Sequence, residues 1–348
     1  MSELYKNILI VRTDRIGDLI LTLPLAGLIK NHYPDCKITF LIRDYTKQIV
    51  NNHSYVDEVI TLDESDGKIN FFENLKKIKS QHFDACIVVY PKFVIALILF
   101  FSGIKIRIGT GYRWYSFLFN KKVYEHRKFA SKHELEFNVK LLESIGIKTD
   151  IDDNNVKYDL SVDKEAVRYV EKIFEKEKIN NDKPVIIIHP GSAGSSVDLP
   201  IEKYKMLVEK LSSENYQIII TGSKDESDIC NSLKVNDSIL NLAGKLSLSE
   251  LTALISKCDL FIANSTGPIH IAAALGKWTV GFYPKILSCS KERWAPYTNK
   301  KLIFEPEIDC RNCNREQCEK LDCMNSINID KVFAGINYIL ANNKLENK

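Results

Sequence analysis

The chain has 348 residues, of which 45% are hydrophobic and 27% charged, and its formal net charge is +3. This length exceeds what one ordinary core needs and favours two domains. The small net charge, with both signs mixed along the chain, argues against a nucleic-acid-binding protein. The most apolar run, FVIALILFF at 93–101, is shorter than the roughly 20 residues that a membrane-spanning helix requires.

The amino terminus predicts the compartment. MSELYKN is polar and leads directly into the strand-like ILIV, without the apolar stretch of a secretion signal. We therefore expect a cytoplasmic protein, either freely soluble or in peripheral contact with the cytoplasmic face of the inner membrane.

Short β-branched runs alternate with helical patterns through both halves of the chain. Strands are predicted at 7–13, 37–43, 56–62, 84–90 and 104–109, and again at 184–191, 217–222, 238–244, 259–265 and 279–283. Continuously apolar strands separated by helices are typical of parallel sheets covered on both faces. The pattern occurs twice, with the polar stretch 148–159 between, and predicts an α/β protein of two doubly wound, Rossmann-like domains.

Loops that follow the strands should carry the chemistry, because ligands of such sheets bind beyond the carboxyl ends of the strands. The first loop is RTDRIGDLILTLP at 12–24. Gly17 permits close backbone approach, and Pro24 predicts a kink or a late helix start. Asp18 is either a helix N-cap or a general base.

Two loops of the second half are rich in small and hydroxyl-bearing residues. HPGSAGSSVDLP at 189–200 contains Ser192, Ser195 and Ser196, which suit an oxygen-rich anionic ligand, although no Walker sequence follows. In TGSKDES at 221–227, helix capping is the simpler interpretation, and a nucleoside contact from Gly222 and Glu226 is the alternative.

The last strand-end loop reads NSTGPIHIAAALG at 264–276. Ser265 or Thr266 can cap the following helix, and Pro268 suits its first position. The free N–H groups of that helix end form an anion site. His270 lies in the first turn and is either part of that site or a core histidine bonded to a carbonyl.

Four cysteines are clustered in CRNCNREQCEKLDC at 310–323. Cys310, Cys313, Cys318 and Cys323 have a spacing that could bind a structural zinc ion or an iron–sulfur cluster. Free thiols are the simpler interpretation, and disulfides are not expected in a protein without a secretion signal.

Together these motifs resemble the heptosyltransferases, the family-nine glycosyltransferases of the GT-B fold. The resemblance covers nearly the whole chain and rests on ILIVRTDRIGDLILTLP, HELEFNVKLLESIGI, IIIHPGS with LPIEKY, the segment 241–276 and ERWAPY. It implies domains at 1–160 and 161–325 that face each other across a cleft holding the active site. It also implies a final helix at 326–348 that crosses back to the first domain.

The resemblance implies inverting transfer of a sugar, usually from ADP-L-glycero-D-manno-heptose, to a lipid-linked saccharide acceptor of the lipopolysaccharide inner core. Asp18 matches the catalytic base of the family. Thr266 and Gly267 match the segment whose backbone N–H groups hold the donor pyrophosphate, and His270 matches the histidine beside it. No metal or other cofactor is implied for catalysis, because a helix end and cationic side chains can take the leaving-group charge.

Two positions depart from the family pattern. A basic residue is frequent where this chain has Val197, and aspartate is frequent where it has Ser265. Candidates for the missing cation are Arg12, Arg15 and Lys203. These departures motivate one alternative, a transferase that uses another nucleotide sugar for another surface glycan. A second alternative is a sugar-nucleotide-binding protein without turnover, against which Asp18 argues.

The apolar run 93–101 and the basic segment 105–122 have two interpretations. They form an apolar and cationic face toward a membrane, or, more simply, a core helix and a surface loop.

Overall fold

The computed structural model describes residues 5–51, 53–180, 182–308 and 314–346. The chain divides into two compact units. The first comprises Met1–Arg127 and Glu134–Ser161, and the second comprises Lys128–His133 and Val162–Lys348. The chain therefore passes from one unit to the other three times.

The first unit alternates strands and helices. Its elements are β1 (Asn7–Val11), α1 (Ile16–Ile20), α2 (Pro24–His32), β2 (Lys37–Ile42), α3 (Lys47–Val50), β3 (Glu58–Thr61), β4 (Glu64–Ser65), β5 (Lys68–Ile69), α4 (Phe71–Lys79), β6 (Ala85–Val88), α5 (Phe93–Phe101), β7 (Ile106–Thr110), β8 (Lys121–Val123) and α6 (Glu134–Lys140). Helix α2 starts at Pro24, which confirms the late helix start.

Its main sheet is parallel, with strand order β3-β2-β1-β6-β7-β8. The central strand β1 is buried from Ile8 onward, as a strand covered on both faces must be. The strand order reverses between β1 and β6, so the loop after β1 lies where doubly wound sheets bind their ligands.

The second unit repeats this plan. Its elements are α7 (Lys164–Lys176), β9 (Val185–His189), α8 (Ile201–Ser212), β10 (Gln217–Ile220), α9 (Ser227–Ser232), β11 (Leu240–Asn241), α10 (Leu248–Ser256), β12 (Leu260–Asn264), α11 (Gly267–Ala274), β13 (Trp278–Phe282), α12 (Lys291–Trp294), β14 (Lys301–Phe304), α13 (Arg315–Lys320) and α14 (Ile329–Glu346).

Its sheet is also parallel, in the order β11-β10-β9-β12-β13-β14. The reversal lies between β9 and β12, and the loops after these two strands belong to the segments 189–200 and 264–276, both predicted to suit an anionic ligand. Each predicted strand run overlaps a strand of the structure, and two doubly wound parallel sheets are the Rossmann-like architecture expected from the sequence.

The final helix belongs to the second unit. Helix α14 packs against α8, and its apolar residues Val332, Ile336 and Ile339 belong to the core of that unit. The crossing of this helix to the first domain stays a prediction. No helix among the described residues is both long and apolar enough to cross a lipid bilayer.

Candidate functional site

The loop after β1 places Asp18 in the first turn of α1. The N-cap of α1 is Arg15, whose side chain makes no capping hydrogen bond, and Asp18 is the third helical residue. The N-cap interpretation of Asp18 is therefore wrong. Gly17 is buried inside the same short helix, and the Thr22 hydroxyl donates to the Asp18 carbonyl at 2.8 Å, which closes the turn.

Arg12 is the centre of a buried group of charges, which we call the Arg12 cluster: Arg12, Asp14, Asp18, Arg127 and Glu134. The Arg12 side chain is 2% exposed. Its Nε donates to Asp14 Oδ1 at 2.7 Å, its Nη2 donates to Asp18 Oδ1, and its Nη1 lies 3.4 Å from Glu134 Oε1. Three carboxylates thus share one guanidinium.

A second arginine completes the cluster. Glu134, at the start of α6, is 1% exposed and also binds Arg127. Arg127 Nη2 in turn donates to Asn138 Oδ1 at 3.1 Å. The cluster therefore contains three acids and two arginines. Glu134 and Arg127 were not predicted as site residues.

Burial and the charges of the Arg12 cluster shift the pKa of Asp18. Burial raises the pKa of Asp18 to about 6; attraction to Arg12 opposes that rise, and repulsion from Asp14 and Glu134 adds to it. The side chain nevertheless keeps 15% of its surface exposed. A carboxylate that titrates near pH 6 and reaches solvent has the properties of a general base at neutral pH.

The loop after β9 is held in place by buried polar contacts. Its first residue, His189, shares a hydrogen bond of 3.0 Å with the Thr221 hydroxyl, and burial lowers the pKa of His189 to about 4. Ala193 and Gly194 both adopt positive φ, at 47° and 72°. Consecutive residues of this kind turn the chain sharply and free backbone N–H groups for a ligand.

Glu226, which follows β10, also holds the loop after β9 in place. Its carboxylate accepts from the amides of Ser223 at 2.7 Å and Ala193 at 3.3 Å. Burial would raise the pKa of Glu226, but these amides and His189 lower it overall. A methyl group on Gly191 would overlap the carboxylate, and one on Gly222 would lie 2.7 Å from the sulfur of Cys230. Both glycines and Glu226 thus have a packing role, and a nucleoside contact stays a prediction.

Two hydrogen-bonding residues join the loop after β9 to the end of β12. The Ser195 hydroxyl donates to the Ser265 carbonyl at 2.7 Å. The buried amide of Asn264 accepts from the Leu199 amide at 2.9 Å and donates to the Pro190 carbonyl at 2.5 Å. The second-unit residues that were predicted to bind the nucleotide-sugar donor therefore lie close together. Ser192, Ser196 and Ser265 are all buried in this group.

Helix α11 begins where these loops meet. Thr266 is its N-cap, without a side-chain capping bond, and Gly267 and Pro268 open the helix. His270 is 3% exposed, and its Nδ1 has no hydrogen-bond partner among the described residues. Burial, and then the nearby His133, lower the pKa of His270 to about 3. The predicted alternative of a core histidine bonded to a carbonyl does not describe this nitrogen.

The three expected cations occupy different places. Lys203 Nζ donates to the Ile327 carbonyl at 3.2 Å, Arg12 lies in the Arg12 cluster of the first unit, and Arg15 is an exposed residue of the same unit. Their support of the donor stays a prediction. Val197, where the family has a basic residue, is buried in the apolar core. Instead, Arg315 of α13 donates from Nη1 to the Gly194 carbonyl at 3.0 Å. The sequence analysis did not identify Arg315.

The cysteine cluster is only partly described. Cys310 and Cys313 lie outside the described residues. Cys318 and Cys323 are buried in the apolar core of the second unit. Within the described ranges, no group of three or more His, Cys, Asp or Glu side chains is arranged to hold a metal ion.

Several known proteins are similar to this chain over most of its length. A Haemophilus influenzae protein whose name gives only a provisional assignment as a glycosyltransferase is 28% identical, over 97% of this chain and 97% of its own length. The lipopolysaccharide core heptosyltransferase of the same organism is 26% identical, over 86% of this chain and 84% of its own length. The solved structure of the Escherichia coli ADP-heptose lipopolysaccharide heptosyltransferase II aligns with a TM-score of 0.79 and 21% identity, covering 97% of this chain and 99% of that one.

The family model described as glycosyltransferase family 9 (heptosyltransferase) matches residues 72–323, well over half of the chain. The matched region includes the loops after β9 and β12, His270 and the whole of helix α13, which carries Arg315. The chain therefore belongs to glycosyltransferase family 9, the heptosyltransferases, and is a glycosyltransferase.

Proposed function

We propose that this enzyme transfers heptose from ADP-heptose to a lipid-linked acceptor of the lipopolysaccharide inner core, with inversion and without a catalytic metal. Asp18 is the general base. The observation that carries this proposal is the position of Asp18 in the Arg12 cluster, where its pKa is raised to about 6 although Arg12 holds it. The donor and acceptor are those named for the similar lipopolysaccharide heptosyltransferases.

The reaction needs one proton acceptor and one stabilised leaving group. Asp18 removes the proton of the acceptor hydroxyl as its oxygen attacks the anomeric carbon from the face opposite the diphosphate. The bond between that carbon and the diphosphate oxygen breaks, and ADP leaves with the electron pair. Arg12 keeps the Asp18 carboxylate oriented between turnovers, which is a positioning role.

The second unit supplies the donor site. The free N–H groups at the start of α11, beyond Thr266, and the N–H of Gly194 in the turn after β9 bind the diphosphate. Neutral His270 donates or accepts one further hydrogen bond through the Nδ1 that has no protein partner. Backbone and neutral groups of this kind stabilise a leaving anion without a metal ion.

Arg315 supplies the positive charge that a basic residue often provides in the family at the position of Val197. Its guanidinium already reaches the Gly194 carbonyl, and Glu319 holds its Nε at 2.7 Å, which leaves its other N–H groups available to a phosphate. Arg315→Gln should raise the donor KM about threefold to tenfold, the range of an exposed charge-assisted hydrogen bond. Lys320→Gln on the same helix is the matched control. An unchanged donor KM in the Arg315 variant would contradict this role.

The base assignment is tested by Asp18→Asn. A positioned base contributes about 10²–10⁴ in rate, so turnover should fall by that factor while ADP still raises the unfolding temperature. Asp14→Asn, which removes another carboxylate from the same guanidinium, is the control and should keep most of the activity. Near wild-type turnover of the Asp18 variant would show that another group is the base.

The donor is tested by thermal shift with ADP, UDP, GDP, CMP and ADP-heptose, in EDTA and then in Mg²⁺. A ligand at about 100 times its Kd adds about 2.7 kcal/mol to the free energy of unfolding. Stabilisation by ADP and ADP-heptose in EDTA supports the proposal. Stabilisation by UDP or GDP alone would favour the alternative, another nucleotide sugar, which Val197 and Ser265 motivate. The anomeric configuration of the product, read by NMR, tests inversion.

A further inference from the structure

One surface of the first unit exposes several large aromatic side chains. Helix α5 buries Ile95 and Ile98, whereas Phe100 and Phe101 at its end are 44% and 55% exposed. In the loop after β7, Trp114 is 73% exposed. Contiguous apolar surface of this kind marks a contact with another molecule or with a membrane.

Direct contacts group these side chains at the two ends of α5. At the start of the helix, the rings of Phe93 and Trp114 lie 4.6 Å apart. At its end, Phe100 and Phe101 lie 5.5 Å apart, and the Arg107 guanidinium lies 5.1 Å from the Phe100 ring. The nine residues of α5 span about 13 Å. The turn that carries Phe117, which is 66% exposed, also packs against α5. We call this surface the α5 face: Phe93, Phe100, Phe101, Arg107, Trp114 and Phe117.

The segment of chain that carries the α5 face contains basic residues and no acidic residue. Residues 90–124 contain six basic residues and no Asp or Glu, in a chain whose net charge is +3. The six are Lys92, Lys105, Arg107, Arg113, Lys121 and Lys122. Within the described part of the molecule, none of them forms an ion pair. Lys121 and Lys122 are exposed on the edge strand β8.

We propose that the α5 face docks on an anionic lipid bilayer. Phenylalanine and tryptophan rings enter the headgroup region, and the basic residues bind anionic headgroups. The absence of any acidic residue over 90–124 favours a lipid surface of negative charge. This inference goes beyond the sugar transfer proposed above and does not depend on the identity of the donor. Docking would hold the enzyme where a lipid-linked acceptor lies.

The test is sedimentation of the full chain with phosphatidylcholine vesicles, with and without phosphatidylglycerol, at low and high salt. We expect binding to the anionic vesicles at low salt. Replacing both Lys121 and Lys122 with Gln should weaken it about thirty-fold, because each basic residue near a charged membrane contributes about fivefold. Replacing Trp114 and Phe117 with Ser should weaken the residual binding at high salt, where the rings provide most of the attraction.

Matched controls lie on the second unit. Lys176→Gln and Lys320→Gln remove two exposed charges, and Tyr338→Ser removes an aromatic side chain that is 72% exposed. All should bind vesicles like the wild type.

The proposal is overturned if the wild type does not sediment with anionic vesicles, or if the controls lose as much binding as the variants of the α5 face. The lysine variant alters only exposed positions, so it decides the question if the aromatic variant does not fold. Transfer to a water-soluble acceptor should stay normal in the lysine variant, which separates failure of docking from failure of the proposed function.

Discussion

The two candidate regions solve opposite electrostatic problems with the same architecture. The loop after β1 contributes three members of the Arg12 cluster, in which Arg12 and Glu134 are buried while Asp14, Asp18 and Arg127 keep part of their surface exposed. The loops after β9 and β12 present hydroxyls, backbone amides and two neutral histidines, and burial raises the pKa of Asp198, the acid of the loop after β9, to about 6. The first region can tune a proton acceptor, because neighbouring charges set its pKa. The second can receive an anion through its backbone amides and hydroxyls.

The comparison predicts that removing a charge from the first region costs folding stability. Arg12→Met should lower the free energy of unfolding by about 3–5 kcal/mol, because three carboxylates then lose their shared partner. Urea unfolding measures this difference. Arg15→Met, three residues away and exposed, should stay within about 0.5 kcal/mol of the wild type. Equal stability of the two variants would show that the Arg12 cluster is not the buried network described here.

In the second region, substitutions of two buried histidines should affect folding stability and ADP binding differently. His189→Leu leaves the Thr221 hydroxyl without its partner and should cost about 1–3 kcal/mol of unfolding free energy. His270→Leu removes a nitrogen that has no protein partner among the described residues, so it should leave stability unchanged or raise it.

The same His270 variant should bind ADP about tenfold more weakly, since one hydrogen bond to a charged ligand is lost. Isothermal titration measures this affinity, and thermal unfolding measures the stability of both variants. A large loss of stability in His270→Leu, with normal ADP binding, would return this histidine to a purely structural role.

The smallest expected effect is a displacement of the pH profile. The base must be deprotonated, so kcat/KM should rise with pH through the pKa of Asp18, about 6. Asp14 repels the Asp18 carboxylate and raises its pKa, so Asp14→Asn should move this limb to lower pH. Asp44→Asn, an exposed carboxylate of the same unit, is the control. A limb that stays in place or moves to higher pH would contradict the assignment.

The sequence predicted the strands well where apolar runs mark them. It missed the edge strands β8 and β14. The residues Lys121–Val123 carry no apolar pattern and pair only because β7 lies beside them, and Lys301–Phe304 is a run of only four residues. The final helix was predicted correctly as a helix. Its packing against α8 was not predicted, because an apolar stripe does not show which surface covers it.

The site was predictable to the same degree. Strand-end loops and their glycines are local signals, so Asp18, Ser195 and His270 could be singled out. Glu134 is separated from Arg12 by 122 residues, and nothing in HELEF distinguishes a buried acid from a solvated one. Arg315 likewise reaches the Gly194 carbonyl across 121 residues. Such long-range pairs follow from the tertiary fold and have no local pattern.

The short segment 128–133 has a consequence for the modularity of this enzyme. It belongs to the second unit although first-unit residues precede and follow it. It contributes His133, whose Nε2 shares a hydrogen bond of 2.8 Å with the Ala295 carbonyl and whose ring lies 4.6 Å from that of Tyr297. A fragment that starts at residue 162 lacks this histidine. The second unit therefore cannot be exchanged between relatives by a single crossover without losing His133, and recombination must carry the six-residue piece 128–133 with it.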